Sequence, residues 1–173
     1  MDEVVIRPAA SADLEAINAI YTYCVLRSTC TWQNNPDTLA ERQAWFGHHG
    51  PEHPVIVAER AGQVVGWGSL SPFREREGYC HTVENSVYVH QDALRRGIGG
   101  ALLKELIEPA QKIGHHTIIA AIDGEQDASL ALHAKHGFVE VGRWREVGVK
   151  FNRWLDVVFM QLMLGRDCSP QSR

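Results

Sequence analysis

Apolar and polar positions alternate along this chain with two periods. Val55 to Ala58 and Val64 to Leu70 read as strands, joined by a turn at Ala61-Gly62. Val4-Val5-Ile6 is a shorter strand closed by Pro8, and a central strand runs from Tyr79 to Val89. Thr117 to Ile122 is a continuous apolar run, which predicts a strand buried on both faces and broken at Asp123-Gly124. Phe138 to Trp144 and Asp156 to Leu164 are the last two strands, separated by a Gly148 to Arg153 loop. Leu14, Ile17, Ile20, Tyr21 and Cys24 fall at helical spacing. They predict a helix to about residue 25, with Ser11 as N-cap and Asp13 and Glu15 in its first turn. Thr38 and Glu41 form a capping-box signature before a second helix through Trp45 and Phe46. Leu102, Leu103, Leu106 and Ile107 mark a long third helix, in which Pro109 predicts a kink or an early stop near Glu108. Ser129 to His136 forms the fourth, with Leu130, Ala131 and Ala134 facing inward and Gly137 as its cap. The segment Leu26 to Trp32 is compatible with an extended stretch over a pocket. His48, His49 and His53 read as an exposed loop. Strands alternate with helices, so the class is α/β or α+β around one mixed sheet.

A length of 173 residues suits one domain. It spans residues 1–165, and a polar tail, 166–173, is expected to be disordered. A net charge of −4 argues against a nucleic-acid partner. Cys24, Cys30, Cys80 and Cys168 form no metal-type or disulfide-type spacing, which predicts a reducing compartment and no metal. Met1-Asp2-Glu3 lacks signal-peptide character, and no apolar run approaches a membrane span. A cytoplasmic protein without membrane attachment is therefore expected.

One stretch carries the chemistry. Val87-Tyr88-Val89 leads through a polar turn into Arg95, Arg96, Gly97, Ile98, Gly99 and Gly100, and these open the third helix. Glycines admit a close ligand, and the first helical N–H groups lack internal partners and favour an anion. Arg95 and Arg96 add charge-assisted donors. The Gly-Lys-Ser/Thr of a P-loop is absent, and the glycines are not spaced as in a dinucleotide fold. By themselves these residues also allow a glycine-rich helix start that binds nothing. Glu84 stands upstream on the central strand among Val83, Val87 and Val89. Apolar surroundings raise a carboxylate's pKa toward useful base strength, although an alternating strand can also turn such a residue to solvent.

The stretch resembles the pyrophosphate-binding motif of the GNAT superfamily of N-acetyltransferases, a likeness that extends from Val5 to Leu164. Thr82 to Val89, Ala128 to His133 and Gly148 to Asp156 resemble more narrowly the phosphinothricin and methionine-sulfoximine acetyltransferase branch. The resemblance implies a central mixed sheet of about seven strands flanked by about four helices. It implies acetyl-CoA as co-substrate, with the amides of Arg95 to Gly100 around its diphosphate. Val87, Tyr88 and Val89 would offer backbone groups to the pantetheine arm, and Gln126 and Ser129 would also meet the cofactor. Glu84 would be the general base, and His133 would hold the place from which a tyrosine often protonates the leaving thiolate.

The acceptor implied is a small amino-acid analogue such as phosphinothricin, methionine sulfoximine or methionine sulfone. Arg74 would grip its carboxylate bidentately. Phe73, Glu75, Asn85 and Ser86 would lie beside it, and Trp32, Phe151 and Trp154 could wall the pocket. The branch also implies a homodimer, with the loop around Trp154 near the active site. Four positions depart from the pattern: Leu94 and Gln126 in the cofactor motifs, and Cys80 and Asn85 near the acceptor. Acetylation of a polyamine or peptide N-terminus, or CoA binding without catalysis, are the competing readings.

Overall fold

The structure is a computed structural model that describes residues 3–165. The expected tail, 166–173, lies outside the described residues. Seven strands form one sheet: β1 (Val5–Pro8), β2 (Val55–Arg60), β3 (Gln63–Pro72), β4 (Thr82–Val89), β5 (Thr117–Asp123), β6 (Val139–Lys150) and β7 (Arg153–Met163). Their order is β1-β2-β3-β4-β5-β7-β6. Every neighbouring pair is antiparallel except β4 and β5. Four helices join them: α1 (Leu14–Arg27), α2 (Leu39–Gly47), α3 (Ile98–Ile113) and α4 (Asp127–Lys135).

Strand periodicity places two cores on the two faces of the sheet. Val55, Val57 and Trp67 pack with Leu14, Ile17 and Ile20 of α1 on one face. Ile56, Leu70, Val83 and Ile118 pack with Leu102, Leu103 and Leu106 of α3 on the other. Each of those three leucines is fully buried, which contributes about 1.5–3 kcal/mol apiece. The approach of α3 demands glycine on β3. A Cβ at Gly66 would lie 3.2 Å from Leu102, and one at Gly68 3.0 Å from Leu106. Thr117 to Asp123 is buried almost throughout, as its apolar run predicts.

Several elements differ from the expectation. Ser11 does not cap α1. It opens a single 3-10 turn, Ser11–Asp13, and the Asp13 carboxylate accepts from the Ala10 N–H (2.8 Å) while pairing with Arg7 (2.7 Å). The helix then runs on to Arg27. The central strand begins at Thr82, not Tyr79, because Glu77–Tyr79 closes its own 3-10 turn. Pro109 does not stop α3; the carbonyl it leaves unbonded belongs to Glu105, an exposed residue. On α4, Leu130 and His133 face inward, whereas Ala131 and Ala134 are exposed. His49 is half-buried rather than loose: its Nδ1 meets the Trp45 carbonyl at 2.9 Å. The final two strands are one long hairpin turning at Phe151-Asn152, both at positive φ (51° and 57°). The expected loop from Gly148 to Arg153 is mostly strand.

Candidate active site

The parallel pair β4–β5 joins for only three residues, Thr82↔Thr117 to Glu84↔Ile119. Beyond Glu84 the strands splay. Asn85 to Tyr88 on one side and Ala120 to Asp123 on the other then line a cleft of about 110 Å³. Backbone groups that would have paired across the sheet face this opening, where an extended amide-bearing chain can meet them. Cys30, Thr31 and Trp32 from the segment after α1 close one side, and Gln126, Ser129 and His133 from α4 the other. Part of the stretch expected over a pocket, Cys30 to Trp32, is therefore found there, but as a bent segment, while Leu26 and Arg27 belong to α1. It is pinned by Lys150, whose Nζ donates to the Thr31 carbonyl (2.8 Å), and by Gln126, whose Nε2 donates to Thr29 Oγ1 (2.8 Å). Trp32 packs against Gly148, where a Cβ would collide with its ring.

At the far end of β4 the chain enters α3 through two left-handed residues, Arg95 (φ 60°) and Gly97 (φ 80°). The Ala101 N–H bonds back to Gly97 O (3.0 Å), so the N–H groups of Ile98, Gly99 and Gly100 precede the helical ladder. Gly99 and Gly100 sit tight against α4. A Cβ on Gly99 would lie 3.3 Å from Leu132, and one on Gly100 3.4 Å from His136. Arg95 and Arg96 are exposed beside them. A row of free amides, two guanidiniums and an adjoining open cleft fit a diphosphate followed by an amide-rich arm.

Strand alternation divides the β4 side chains. Glu84, Ser86 and Tyr88 belong to the α1/α2 face, opposite Ser71, Ser69 and Trp67 of β3. Glu84 lines the cleft, and burial raises its pKa, an effect that the Arg74 charge partly opposes. Asn85, on the other face, reaches His133. Its Nδ2 lies 3.0 Å from His133 Nε2, while His133 Nδ1 lies 2.8 Å from the Ser129 carbonyl. A carbonyl only accepts, so Nδ1 carries the proton and Nε2 accepts from the amide. Burial lowers the His133 pKa and keeps this neutral form. In this arrangement His133 directs no proton at the cleft. Asn85 Oδ1 is left buried without a partner.

Of the residues singled out in the sequence, Trp32, Glu84, Asn85, Ser86, Val87, Tyr88, Gln126, Ser129 and His133 meet in one cleft. Val89 and the Arg95–Gly100 turn lie outside the cleft lining, between the end of β4 and the start of α3. Phe73, Arg74 and Glu75 stand on the segment after β3, outside the cleft lining; the Arg74 guanidinium stacks over Phe73 at 5.1 Å. Trp154 is 64% exposed on the β6–β7 hairpin and does not line this chain's cleft. Cys30 and Thr31 are not among those singled out as site residues, although the Leu26 to Trp32 segment that carries them is expected over a pocket. Among the described residues no group of three or more His, Cys, Asp or Glu is placed to hold a metal.

The family model described as the acetyltransferase (GNAT) family matches residues 18–138. The chain belongs to the GNAT family of acetyltransferases. An L-methionine sulfoximine/L-methionine sulfone acetyltransferase of Pseudomonas paraeruginosa is 45% identical over 161 residues, covering 92% of this chain and 94% of that one. The L-amino acid N-acyltransferase MnaT of Escherichia coli is 41% identical, covering 96% and 98%. YncA of Salmonella typhimurium, an acetyltransferase solved with its cofactor acetyl-CoA, superposes with a TM-score of 0.95 at 38% identity over 99% of each chain. This GNAT protein is an acetyl-CoA-dependent acyltransferase with the seven-stranded sheet and four helices of its fold.

Proposed function

We propose that this enzyme acetylates the α-amine of a small amino-acid analogue of the methionine sulfoximine, methionine sulfone or phosphinothricin type. The observation that carries the reading is the position of Glu84 as the last β4 residue paired with β5, where the cleft opens. The name of the Pseudomonas paraeruginosa relative gives methionine sulfoximine and methionine sulfone, and that of the Escherichia coli relative an L-amino acid.

Acetyl-CoA supplies an activated acetyl group as a thioester. The free amides of Ile98, Gly99 and Gly100, with Arg95 and Arg96, hold its diphosphate. The splayed backbone of Val87, Tyr88 and Val89 holds the pantetheine arm, and Gln126 and Ser129 border it. An ammonium has no lone pair, so the acceptor nitrogen must lose a proton before it attacks. Glu84 takes that proton, directly or through a water, because burial has raised its affinity for one. Holding amine and thioester side by side contributes several kcal/mol more. Arg74 lies near enough to Glu84 to act on its charge, and from there it meets the acceptor's carboxylate. Phe73 and Glu75 frame that anchor, while Asn85, Ser86 and Trp32 bound the reacting end. His133 orients Asn85 rather than protonating the thiolate; a CoA thiol, with a pKa of roughly 8.5, leaves without an obligatory acid.

The working form is a homodimer. Val139, Val141, Trp144, Val147, Val149, Phe151 and Trp154 expose apolar surface along the β6–β7 hairpin, and β6 is a sheet edge. Such a patch is buried by a second copy. The Trp154 end of the hairpin then lies beside the partner's acceptor site. A cytoplasmic location goes with this reading, since Cys30 lines the site as a thiol whose pKa is lowered by its hydrogen bond to Cys24, and it needs a reducing compartment to stay free.

The direct test is CoA release, followed with a thiol reagent, against a panel of amines. Release driven by methionine sulfone or sulfoximine and not by polyamines or peptide N-termini is expected. Tight acetyl-CoA binding with no amine-driven release would refute the proposal.

A further inference from the structure

A second cavity, of about 120 Å³, lies under α1 and α2 on the same face as Glu84. It shares Ser86 and Tyr88 with the cofactor cleft, so the two spaces meet beside the base. Cofactor binding and proton removal make no use of it. Its walls are unusually rich in buried hydrogen-bond donors. Arg42 is 3% exposed, and its guanidinium sits over the rings of Tyr21 (4.4 Å) and Trp45 (4.7 Å). Trp67 is 2% exposed, and its Nε1–H is buried without an acceptor. Ser69, Ser71 and Ser86 add hydroxyls along the floor. A buried N–H left unmet costs about 1–3 kcal/mol, so a donor of this kind lining a cavity points to an oxygen that comes and goes.

Charge narrows the choice of oxygen. Arg42 is already neutralised by Asp37, 2.6 Å away. A carboxylate placed here would put two anions against one buried cation, and the surplus charge would lack a partner. A neutral, strongly dipolar oxygen meets the donors without that penalty, which favours the sulfone and the sulfoximine among the proposed acceptors over the anionic phosphinate of phosphinothricin. The space is ample for such a group, since one water needs only about 10–15 Å³.

We propose that this cavity is the acceptor's side-chain subsite, in which a neutral sulfur-bound oxygen accepts hydrogen bonds from Trp67 Nε1 and Arg42. The inference rests on the acetyl-transfer reading and extends it to the part of the substrate remote from the amine. It assigns a specificity role to α2, which the phosphate and base motifs do not touch. Trp67 stands directly opposite Tyr88, and Ser71 directly opposite Glu84. An acceptor with its amine at Glu84 therefore extends along β3 into the donor-lined space.

The test compares L-methionine sulfone with L-norleucine, which carries a methylene in place of the sulfone group. Trp67→Phe removes the N–H and keeps a ring. It is expected to lower the ratio of the two kcat/KM values by about tenfold, as loss of a hydrogen bond built for a substrate oxygen does. An unchanged ratio, with both amino acids still acetylated, overturns the subsite and leaves the acetyltransferase reading standing. Failure of the wild-type enzyme to acetylate either amino acid overturns that reading and the subsite with it. If Trp67→Phe does not fold, a crystal of the wild-type protein with CoA and methionine sulfone decides. A sulfone oxygen bonded to Trp67 Nε1 supports the proposal. Water alone there, or the α-carboxylate, refutes it.

Discussion

The side-chain amide of Asn85 donates to His133 Nε2 across 3.0 Å, and both residues are more than nine-tenths buried. The bond holds Asn85 in one orientation and leaves its Oδ1 as an unmet acceptor at the β4–β5 cleft. Glutamine at 133 can reproduce the pattern, with a donor toward the Ser129 carbonyl and an acceptor toward Asn85. His133→Ala is expected to lower kcat/KM about tenfold, and His133→Gln to recover most of it. The basic limb of the pH–rate profile should be the same in His133→Gln as in the wild type. Equal losses in both variants, with that limb abolished, would instead identify His133 as the proton donor.

As the proposed base, Glu84 is expected to set the acidic limb of the pH–rate profile. Its pKa lies above the ordinary carboxylate value because burial disfavours the anion, and the Arg74 charge pulls it partway back. A base works only when deprotonated, so the rate falls as pH drops through that raised pKa. Removing the cation in Arg74→Ala raises it further, and the limb should move to higher pH. Glu84→Gln should cut kcat by about 10²–10⁴ while acetyl-CoA still binds. Stopped-flow rates across pH, with calorimetric titration of acetyl-CoA, measure both effects.

The diphosphate contacts should separate from the chemistry. Arg95 and Arg96 flank the free amides of the α3 turn without reaching the cleft lining. Replacing both by alanine is expected to raise KM for acetyl-CoA about tenfold, through loss of charge-assisted hydrogen bonds, with kcat at saturation little altered. The wild-type KM should rise with salt more steeply than that of the double variant. Steady-state kinetics at two ionic strengths provide the comparison.

The exposed hairpin predicts the oligomeric state. Trp144→Glu introduces a charge into the apolar row formed with Val147, Val149 and Trp154. Sedimentation should show a dimer for the wild type and a monomer for the variant at micromolar concentration. A wild-type monomer would remove the partner from the account of the site.

The gap between sequence and structure is instructive at particular residues. Pro109 reads locally as a stop, yet α3 continues to Ile113 because Leu102, Leu103, Leu106 and Ala110 bury one face of it. Tertiary packing outweighs one missing hydrogen bond whose acceptor faces solvent. Of the turn pair Phe151-Asn152, Asn152 tolerates the left-handed region, but Phe151 does not favour it, and its positive φ is held by the long antiparallel ladder on either side. Neither effect is a property of a short window.

What the sequence alone determined is what depends on neighbours along the chain. Apolar period set the strands and helices, and the glycines at 97, 99 and 100 marked free amides at a helix start. What only the tertiary structure decided depends on residues far apart. The β4–β5 splay brings Cys30 to the cleft, β3 pairing sets Trp67 opposite Tyr88, and α2 carries Arg42 over Tyr21. Such meetings arise from register and packing across the sheet, which no local spacing encodes.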